Sequence, residues 1–581
     1  MSLKVLLVVY DDGSFDHSFP MGLGALAGVL KKDGHEISVW NQDMHHWPDD
    51  FLTTYLDKNI FDVVILSVIA GYYQYIKVNN LSKAINNSKN RPFFAMGGYG
   101  PTPEPEFWLK KTGCDLVALG EGEIIVSKLM DAIESKKSLK SVPGVAWLED
   151  GKFQQTPRAP LIEDLDSLPP IPYELFPMDY YRMLRLPKIK ATDFAFPLMS
   201  ARGCSFKCTF CYRMDTGYRM RSPKDLLDEV ELLYRDYGIT YISFQDDLLM
   251  SSVIHTEEVC KEFLERDLPV RWNCNGRLNY CSEELLQLMK DAGCTFINYG
   301  IESMDQTVLN NMKKGLRPDM IIQGIEDTLK VGISPGLNFI FGNKGDNKET
   351  IKTTVDFLLK YDDFSQKRTI RPVTPYPGSP LYYDAIEMGL LDKDNPCEDF
   401  YENKHLNSDL ICCNFTELSD EEFYECLRWA NKTLMKNYFD RQKNSTLEQI
   451  DYLYKEKDIA FRGFRHNVGK GQIGNVKTKE EYAKEAKAIQ ANKKYYASGA
   501  MDGTIDSRPS AGLVNWESSR TGDAERFSQD QYEANGKRYS PETSFANYLK
   551  KKEIRMAAKK EVRVVLNKVK VTNAIKVEIA P

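Results

Sequence analysis

Three cysteines lie close together in the stretch ARGCSFKCTFCYRM, where Cys204, Cys208 and Cys211 form a C-x3-C-x2-C arrangement. Thiolates spaced this closely on one loop can hold an iron-sulfur cube and leave its fourth iron open. Positive charge at Lys207 and Arg202 is expected to favour the thiolate form. The spacing therefore predicts a redox-active 4Fe-4S cluster. The open alternatives are three unrelated thiols or a zinc site completed by a distant fourth ligand, although zinc usually takes cysteine pairs two residues apart.

The elements that must position this loop follow from the hydrophobic pattern, which indicates an α/β protein. Residues 1–150 alternate short apolar runs with helical periodicity, as in a doubly wound, Rossmann-like sheet. Residues 191–395 repeat a strand-helix unit six times, which predicts a partial (β/α)6 TIM-like barrel with its chemistry at the carboxyl ends of the strands. The proline-rich stretch 151–190 between them is predicted to be a linker. We expect a helical region at 396–445 and a polar accessory tail at 446–581.

Composition narrows the classes of partner. The net charge of -7 provides no global positive field, so we expect no nucleic-acid partner and a small-molecule or peptide substrate instead. The apolar runs are far shorter than the roughly 20 residues that cross a bilayer, so no membrane span is expected. The first residues show no cleavage pattern of a signal peptide, which favours a cytoplasmic protein.

The cysteine loop and the strand ends resemble the radical S-adenosylmethionine (SAM) superfamily. The resemblance implies that Phe210 packs near the adenine and that Glu302, in GIES, contacts the ribose and methionine of SAM. Asp246, in QDDL, occupies the place where many members bind the SAM amino group through a Gly-Gly-Glu stretch, which is absent here. Arg277 is a candidate partner of the SAM carboxylate, because guanidinium can bind carboxylate bidentately. A lone Glu or Arg at a strand end can equally be a solvated or salt-bridged group.

The first domain, placed ahead of such a barrel, is similar to the cobalamin-binding members of that superfamily. Its glycines permit close approach of the backbone to a broad, flat ligand. The resemblance implies that the loop SVIAGYYQ faces the lower side of cobalt and offers no strong cobalt ligand. The candidate cobalamin-binding residues are Ile69, Gly71, Tyr72, Gly97, Gly98, Gly120, Glu121 and Gly122.

One histidine could suggest a different cobalt environment. The residues from Asp43 to Pro48 nearly spell the D-x-H-x-x-G loop from which many cobalamin proteins supply an axial histidine. The stretch follows the second strand and lacks the final glycine. We therefore expect His45 to be an ordinary surface residue and the cobalt to have no protein imidazole.

Together these features predict a cobalamin-dependent radical SAM methyltransferase. It would act on an unactivated carbon or phosphorus centre through a 5'-deoxyadenosyl radical and methylcobalamin, with electrons from an external flavodoxin or ferredoxin. Three alternatives stay open. One is an oxidative cyclase or ring-rearranging enzyme of the same architecture, and another is a radical enzyme whose first domain no longer binds cobalamin. The third is a non-catalytic iron-sulfur or zinc protein.

Overall fold

The computed structural model describes residues 2–11, 17–69, 72–190, 192–215, 217–405 and 408–457, with backbone alone at 72, 73 and 456. These residues belong to one compact unit, Met1–Ile473. The predicted accessory tail lies outside the described residues from residue 458 onward.

Seven strands build the first sheet: β1 (Lys4–Val9), β2 (Glu36–Asn41), β3 (Val63–Ser67), β4 (Phe93–Gly97), β5 (Leu116–Ala118), β6 (Val145–Glu149) and β7 (Lys152–Gln155). Their order is β2-β1-β3-β4-β5-β6-β7, and the first five are parallel whereas β6 and β7 pair antiparallel at the edge. The inner strands are apolar and buried along their length, as expected for a sheet that helices cover on both faces. The doubly wound prediction is confirmed.

Six helices connect these strands: α1 (Met21–Lys32), α2 (Gln42–His45), α3 (Phe51–Lys58), α4 (Tyr72–Asn86), α5 (Pro105–Thr112) and α6 (Gly122–Glu134). Helices α1 and α6 lie against each other. In a parallel sheet of this order, ligands bind beyond the carboxyl ends of the strands, where the chain reverses its direction across the sheet. The loops after β1, β3, β4 and β5 therefore meet at one edge.

The stretch 151–190 is packed, which differs from the predicted linker. It begins with the edge strand β7, so the first sheet continues beyond residue 150, and it contains the short helix α7 (Met178–Tyr181). Its aromatic side chains enter the core: the ring of Phe19 lies 5.6 Å from that of Tyr173 and 4.9 Å from that of Phe176. The prolines interrupt regular hydrogen bonding, but they do not prevent the residues between them from being buried.

The second sheet has six parallel strands: β8 (Ala195–Leu198), β11 (Tyr241–Phe244), β12 (Arg271–Gly276), β13 (Cys294–Glu302), β14 (Ser334–Phe341) and β15 (Arg371–Pro372). They pair in chain order from β8 at one edge to β15 at the other. Between β8 and β11, the two short strands β9 (Ala201–Arg202) and β10 (Arg219–Met220) form an antiparallel ribbon. This arrangement confirms the partial barrel.

Seven helices follow or join the barrel strands: α8 (Pro223–Tyr237), α9 (Val253–Arg266), α10 (Glu283–Asp291), α11 (Gln306–Asn311), α12 (Pro318–Val331), α13 (Lys348–Tyr361) and α14 (Pro380–Glu387). Serine or asparagine side chains cap several of them; for example, Ser222 accepts from the backbone of Asp225 at the start of α8. Helix α10 contacts β13 and helix α12 contacts β14, and in such a barrel the site forms at the carboxyl ends of the strands.

Two further helices, α15 (Pro396–Asn403) and α16 (Asp420–Glu456), form the helical region after the barrel. Helix α16 begins with a capping box between Ser419 and Glu422 and packs on α13. It continues past the predicted boundary at residue 445. Among the described residues, no helix combines the length and apolar character needed to cross a membrane.

Candidate functional site

The three cysteines lie on the loop that follows β9, at the carboxyl end of the barrel sheet. Neighbouring loops hold this cluster loop, since Thr209 donates its backbone N–H to Met312 at 3.0 Å and accepts from Leu381 at 2.9 Å. Burial raises the pKa of the Cys204 thiol, and it raises the pKa of Cys211 to about 12; in both cases the neighbouring Cys208 adds to the shift. The thiols therefore lie near one another, and three thiols on one loop are the donor set that an iron-sulfur cube requires.

The structure locates no single-ion metal site at these cysteines. Within the described ranges, no group of three or more His, Cys, Asp or Glu side chains converges as ligands of one metal ion. A cube places each thiolate on a different iron, so its ligands are spread more widely.

The predicted role of Arg202 beside the thiols is wrong. Its guanidinium donates to Glu123 at 2.5 Å and lies 3.2 Å from Glu121, which belong to the first domain. Lys207 is exposed on the loop. The cation that lowers the pKa of Cys204, against the larger effect of burial, is Arg277.

Arg277 lies directly beside the cluster loop and is 5 % exposed. Its guanidinium stacks over the Phe206 ring at 3.5 Å from the centroid, and its Nη1 lies 3.9 Å from the Cys208 sulfur. Nε donates to Asn279 at 2.7 Å, while the buried Nη2 has no hydrogen-bond partner among the described residues. A buried donor without a partner is costly unless a ligand accepts from it. Arg277 therefore fits its predicted role at a carboxylate.

Asp246 is placed differently from its prediction. It is 1 % exposed, and its Oδ1 accepts from the backbone N–H groups of Ser200 at 2.6 Å and Ala201 at 2.8 Å. Its Oδ2 accepts from the Ser200 hydroxyl at 2.5 Å. Burial raises the pKa of Asp246 to about 6 against these hydrogen bonds. Because both oxygens are engaged, Asp246 holds the chain that leads into the cluster loop. The next residue, Asp247, lines the cavity instead.

Glu302 forms a buried ion pair with Lys314 at 3.0 Å, and both residues are more than nine-tenths buried. Glu302 has a φ of 74° at a register shift between β13 and β14, and a non-glycine residue in this region is strained. The Lys314 ammonium lies 5.5 Å from the centroid of the Phe210 ring. The structure thus brings Glu302 and Phe210 together beside Cys211, around a lysine that no sequence pattern indicated.

One cavity of about 870 Å³ joins the two sheets. Its lining from the first domain includes most of the predicted cobalamin-binding residues: Ile69, Gly97, Gly98, Gly120, Glu121 and Gly122. Its lining from the second domain includes Arg202, Gly203, Met214, Asp215, Arg219 and Asp247. Gly71 lies outside the described residues, and Tyr72 is described by its backbone alone. The stretch Leu168–Ile171 of the predicted linker also lines the cavity, which proline content did not indicate.

The loop after β4, which lines this cavity, has no room for a side chain at Gly98. Gly98 has a φ of 100°, and a Cβ there would lie 2.6 Å from the carbonyl oxygen of Val68. A side chain at this position would be strained both by the backbone conformation and by the contact.

The inner part of the cavity runs between α1 and α6 and is apolar, with Leu23, Leu26, Ile125, Val126 and Leu129 in its lining. An apolar slot below an open, glycine-rich edge suits a large ligand with a flat ring and a long appendage. The residues present therefore fit cobalamin. His45 stacks on Trp47 with ring centroids 4.3 Å apart, outside the described lining of the cavity.

Comparison with known proteins agrees with this geometry. Residues 198–358 match the model of the Radical SAM superfamily, and residues 14–130 match the B12 binding domain. An uncharacterized methyltransferase of Pyrococcus horikoshii, PH0819, is 30% identical over 379 residues, which cover 64% of this chain and 79% of that protein.

Two further relatives cover similar shares of the chain. The cytidylyl-2-hydroxyethylphosphonate methyltransferase of Streptomyces wedmorensis is 29% identical over 67% of this chain and 83% of its own length. The anaerobic magnesium-protoporphyrin IX monomethyl ester cyclase of Rubrivivax gelatinosus is 27% identical over 65% of this chain and 68% of its own length.

Two solved structures share the fold. The radical SAM methyltransferase TsrM of Kitasatospora setae, with cobalamin and a [4Fe-4S] cluster bound, has a TM-score of 0.56 at 20% identity and covers 67% of this chain and 75% of that chain. The cobalamin-dependent enzyme OxsB, with aqua-cobalamin and SAM bound, has a TM-score of 0.58 at 15% identity and covers 89% of this chain and 84% of that chain.

The fold and the site define an enzyme that uses a 4Fe-4S cluster, SAM and cobalamin. The chain belongs to the radical SAM superfamily, to the group with an N-terminal B12-binding domain, and is a cobalamin-dependent radical SAM enzyme.

Proposed function

We propose that the enzyme is a methyltransferase acting on an unactivated carbon or phosphorus centre of a small-molecule or peptide substrate. The observation that carries the proposal is the shared cavity, since the glycine loops of the first sheet and Asp247 beside the cluster loop line the same space. A substrate held there would lie next to both cofactors. When bound, SAM on the cluster supplies a 5'-deoxyadenosyl radical and cobalamin supplies a methyl group. The relatives from Pyrococcus horikoshii and Streptomyces wedmorensis, both named methyltransferases, support this reaction.

The side chains around the cluster loop support specific contacts with SAM. Arg277 would bind the SAM carboxylate through Nη2, the guanidinium nitrogen that has no partner among the described residues. Asp247 would accept from the amino group, since it lines the cavity beside the cluster loop. Glu302, oriented by Lys314, would accept from the ribose hydroxyls, and Phe210 would pack on the adenine.

The cluster needs an external one-electron donor, which we propose to be a protein of the flavodoxin or ferredoxin type. Lys207 is exposed on the cluster loop, so it offers a positive charge to an acidic partner at the surface nearest the cluster.

A second candidate function is an oxidative cyclisation without methyl transfer. The Rubrivivax gelatinosus relative is named a cyclase and matches this chain over nearly the same share as the methyltransferases do. The cyclase would use the same cavity and the same cluster loop, so the two functions differ only in what becomes of the substrate.

Product analysis separates the two functions. The reconstituted enzyme would be incubated with reductant, SAM carrying a trideuteromethyl group, and fractions of small molecules and peptides. We expect a product in which one trideuteromethyl group replaces a hydrogen, and we expect Cys208→Ala to form none. A product that has lost hydrogens and gained no label would establish the cyclase and exclude the methyltransferase.

A further inference from the structure

Two arginines join the cluster loop to the loop Gly120–Gly122 of the first domain, which lines the cavity that fits cobalamin and is called the cobalamin loop below. Arg202 donates to Glu123 at 2.5 Å and lies 3.2 Å from Glu121. Arg219 donates to both oxygens of Glu121, at 2.7 and 3.0 Å, and its Nη1 also donates to the carbonyl of Ile162 at 2.7 Å. We propose that this charged clamp, Arg202 and Arg219 with Glu121 and Glu123, consists of positioning residues that set the distance between cobalt and the cluster.

The four side chains of the clamp are largely buried, which restricts their conformations. The side chains are 19 % exposed at Arg202, 9 % at Arg219, 12 % at Glu121 and 6 % at Glu123. Burial alone would raise the pKa of Glu121, but Arg219 and Arg202 hold this pKa below its usual value. Partly buried, charge-assisted contacts from a planar guanidinium are directional, so they fix orientation as well as proximity.

Each half of the clamp is attached directly to one cofactor loop. Arg202 and Arg219 pair with each other in the β9-β10 ribbon, and Cys204 follows Arg202 after one glycine. Glu121 lies between Gly120 and Gly122, which line the cavity that fits cobalamin. A displacement of the ribbon would therefore move the cysteines relative to the cobalamin loop, and this consequence rests on the proposed use of both cofactors in one cavity.

A second ion pair offers a matched control. Lys111 on α5 pairs with Glu398 on α15 at 2.5 Å, so it also joins the first domain to a later part of the chain, but it involves no residue of either cofactor loop. If the clamp only held the two parts of the chain together, breaking either ion pair should have the same effect on the distance between cobalt and the cluster. If the clamp positions the cofactors, only its loss should change that distance.

The test measures that distance in the reconstituted holoenzyme. Cobalt(II) and the reduced cluster are both paramagnetic, so pulsed electron paramagnetic resonance reports the distribution of their separation. We expect Arg202→Gln to broaden or shift this distribution, Arg202→Lys to do so less, and Glu398→Gln to leave it unchanged. The ratio of 5'-deoxyadenosine to methylated product should rise severalfold in Arg202→Gln.

Each outcome bears on a separate claim. An unchanged distribution in both Arg202 variants would overturn the clamp, and so would an equal change in Glu398→Gln. If Arg202→Gln does not fold, Arg202→Lys and Glu123→Gln carry the same test. A broadened distribution in an enzyme that transfers no methyl group would overturn the proposed function and leave the clamp standing. A wild-type protein that retains no corrinoid after reconstitution would overturn both.

Discussion

The ion pair between Glu302 and Lys314 allows a structural role to be separated from a role at SAM. Both side chains are over nine-tenths buried, with 3.0 Å between their charged atoms. Glu302→Gln would leave the Lys314 ammonium buried without its partner, and breaking a buried pair in this way costs about 3–5 kcal/mol. Removing both charges, in Glu302→Gln with Lys314→Met, should recover most of that loss, because a neutral pair of similar volume has no charge to desolvate.

The double variant then isolates the contact with SAM. If Glu302 accepts from the ribose, losing a charged acceptor should weaken SAM binding by about 1.5–3 kcal/mol, which is roughly a tenfold to hundredfold change in dissociation constant. Chemical denaturation would measure stability, and anaerobic calorimetry would measure SAM affinity.

An exposed pair provides the control for stability. Asp356→Asn breaks the surface pair with Lys352 on α13 and should cost less than about 1 kcal/mol. A double variant that is stable and binds SAM as tightly as the wild type would refute the role of Glu302 at the cofactor and leave it as the partner of Lys314 alone.

Three other substitutions test separate parts of the site. Gly98→Ala should destabilise the loop by about 1–3 kcal/mol and reduce retention of corrinoid in the visible spectrum, because the new Cβ would meet the Val68 carbonyl at a positive φ; full retention would contradict this role of the glycine. Arg277→Lys should weaken SAM binding about tenfold by calorimetry, because lysine has a single nitrogen and cannot keep the contacts to Asn279 and Cys208 while also donating to the carboxylate; unchanged affinity would exclude the contact. The pKa of Asp246 is raised to about 6, so the folded state binds more protons than the unfolded state between about pH 4 and 6, and stability falls as pH rises through that window by up to about 3 kcal/mol. In Asp246→Asn, the melting temperature of the cofactor-free protein should not show this fall between pH 5 and pH 7. If the variant keeps the pH dependence of the wild type, Asp246 is not its cause.

Sequence spacing could predict the cluster loop and both sheets, because three nearby thiols and alternating apolar runs are compatible with few other structures. The spacing could not predict where the side chain of Arg202 points. That residue is two positions from Cys204, but Gly203 between them has a φ of 81° and turns the chain, while the ribbon directs the guanidinium to the first domain.

The partners of Asp246 and Lys314 could not be predicted from the sequence either. A carboxylate at a strand end is equally suited to a ligand or to neighbouring backbone N–H groups, and only the three-dimensional path of Ser200 and Ala201 decides between them. Lys314 comes from a loop beyond α11 that no periodic pattern connects to Glu302. Proline content likewise indicated breaks in regular structure at 151–190 but gave no sign that this stretch lines the cavity.

The transfer of a methyl group through cobalamin can be tested before the substrate is known. The reconstituted holoenzyme would be reduced and supplied with SAM carrying a trideuteromethyl group, and the bound corrinoid would be analysed by mass spectrometry. We expect the corrinoid to carry the trideuteromethyl group and S-adenosylhomocysteine to be released. A corrinoid without the label, together with release of 5'-deoxyadenosine alone, would contradict the assignment as a methyltransferase.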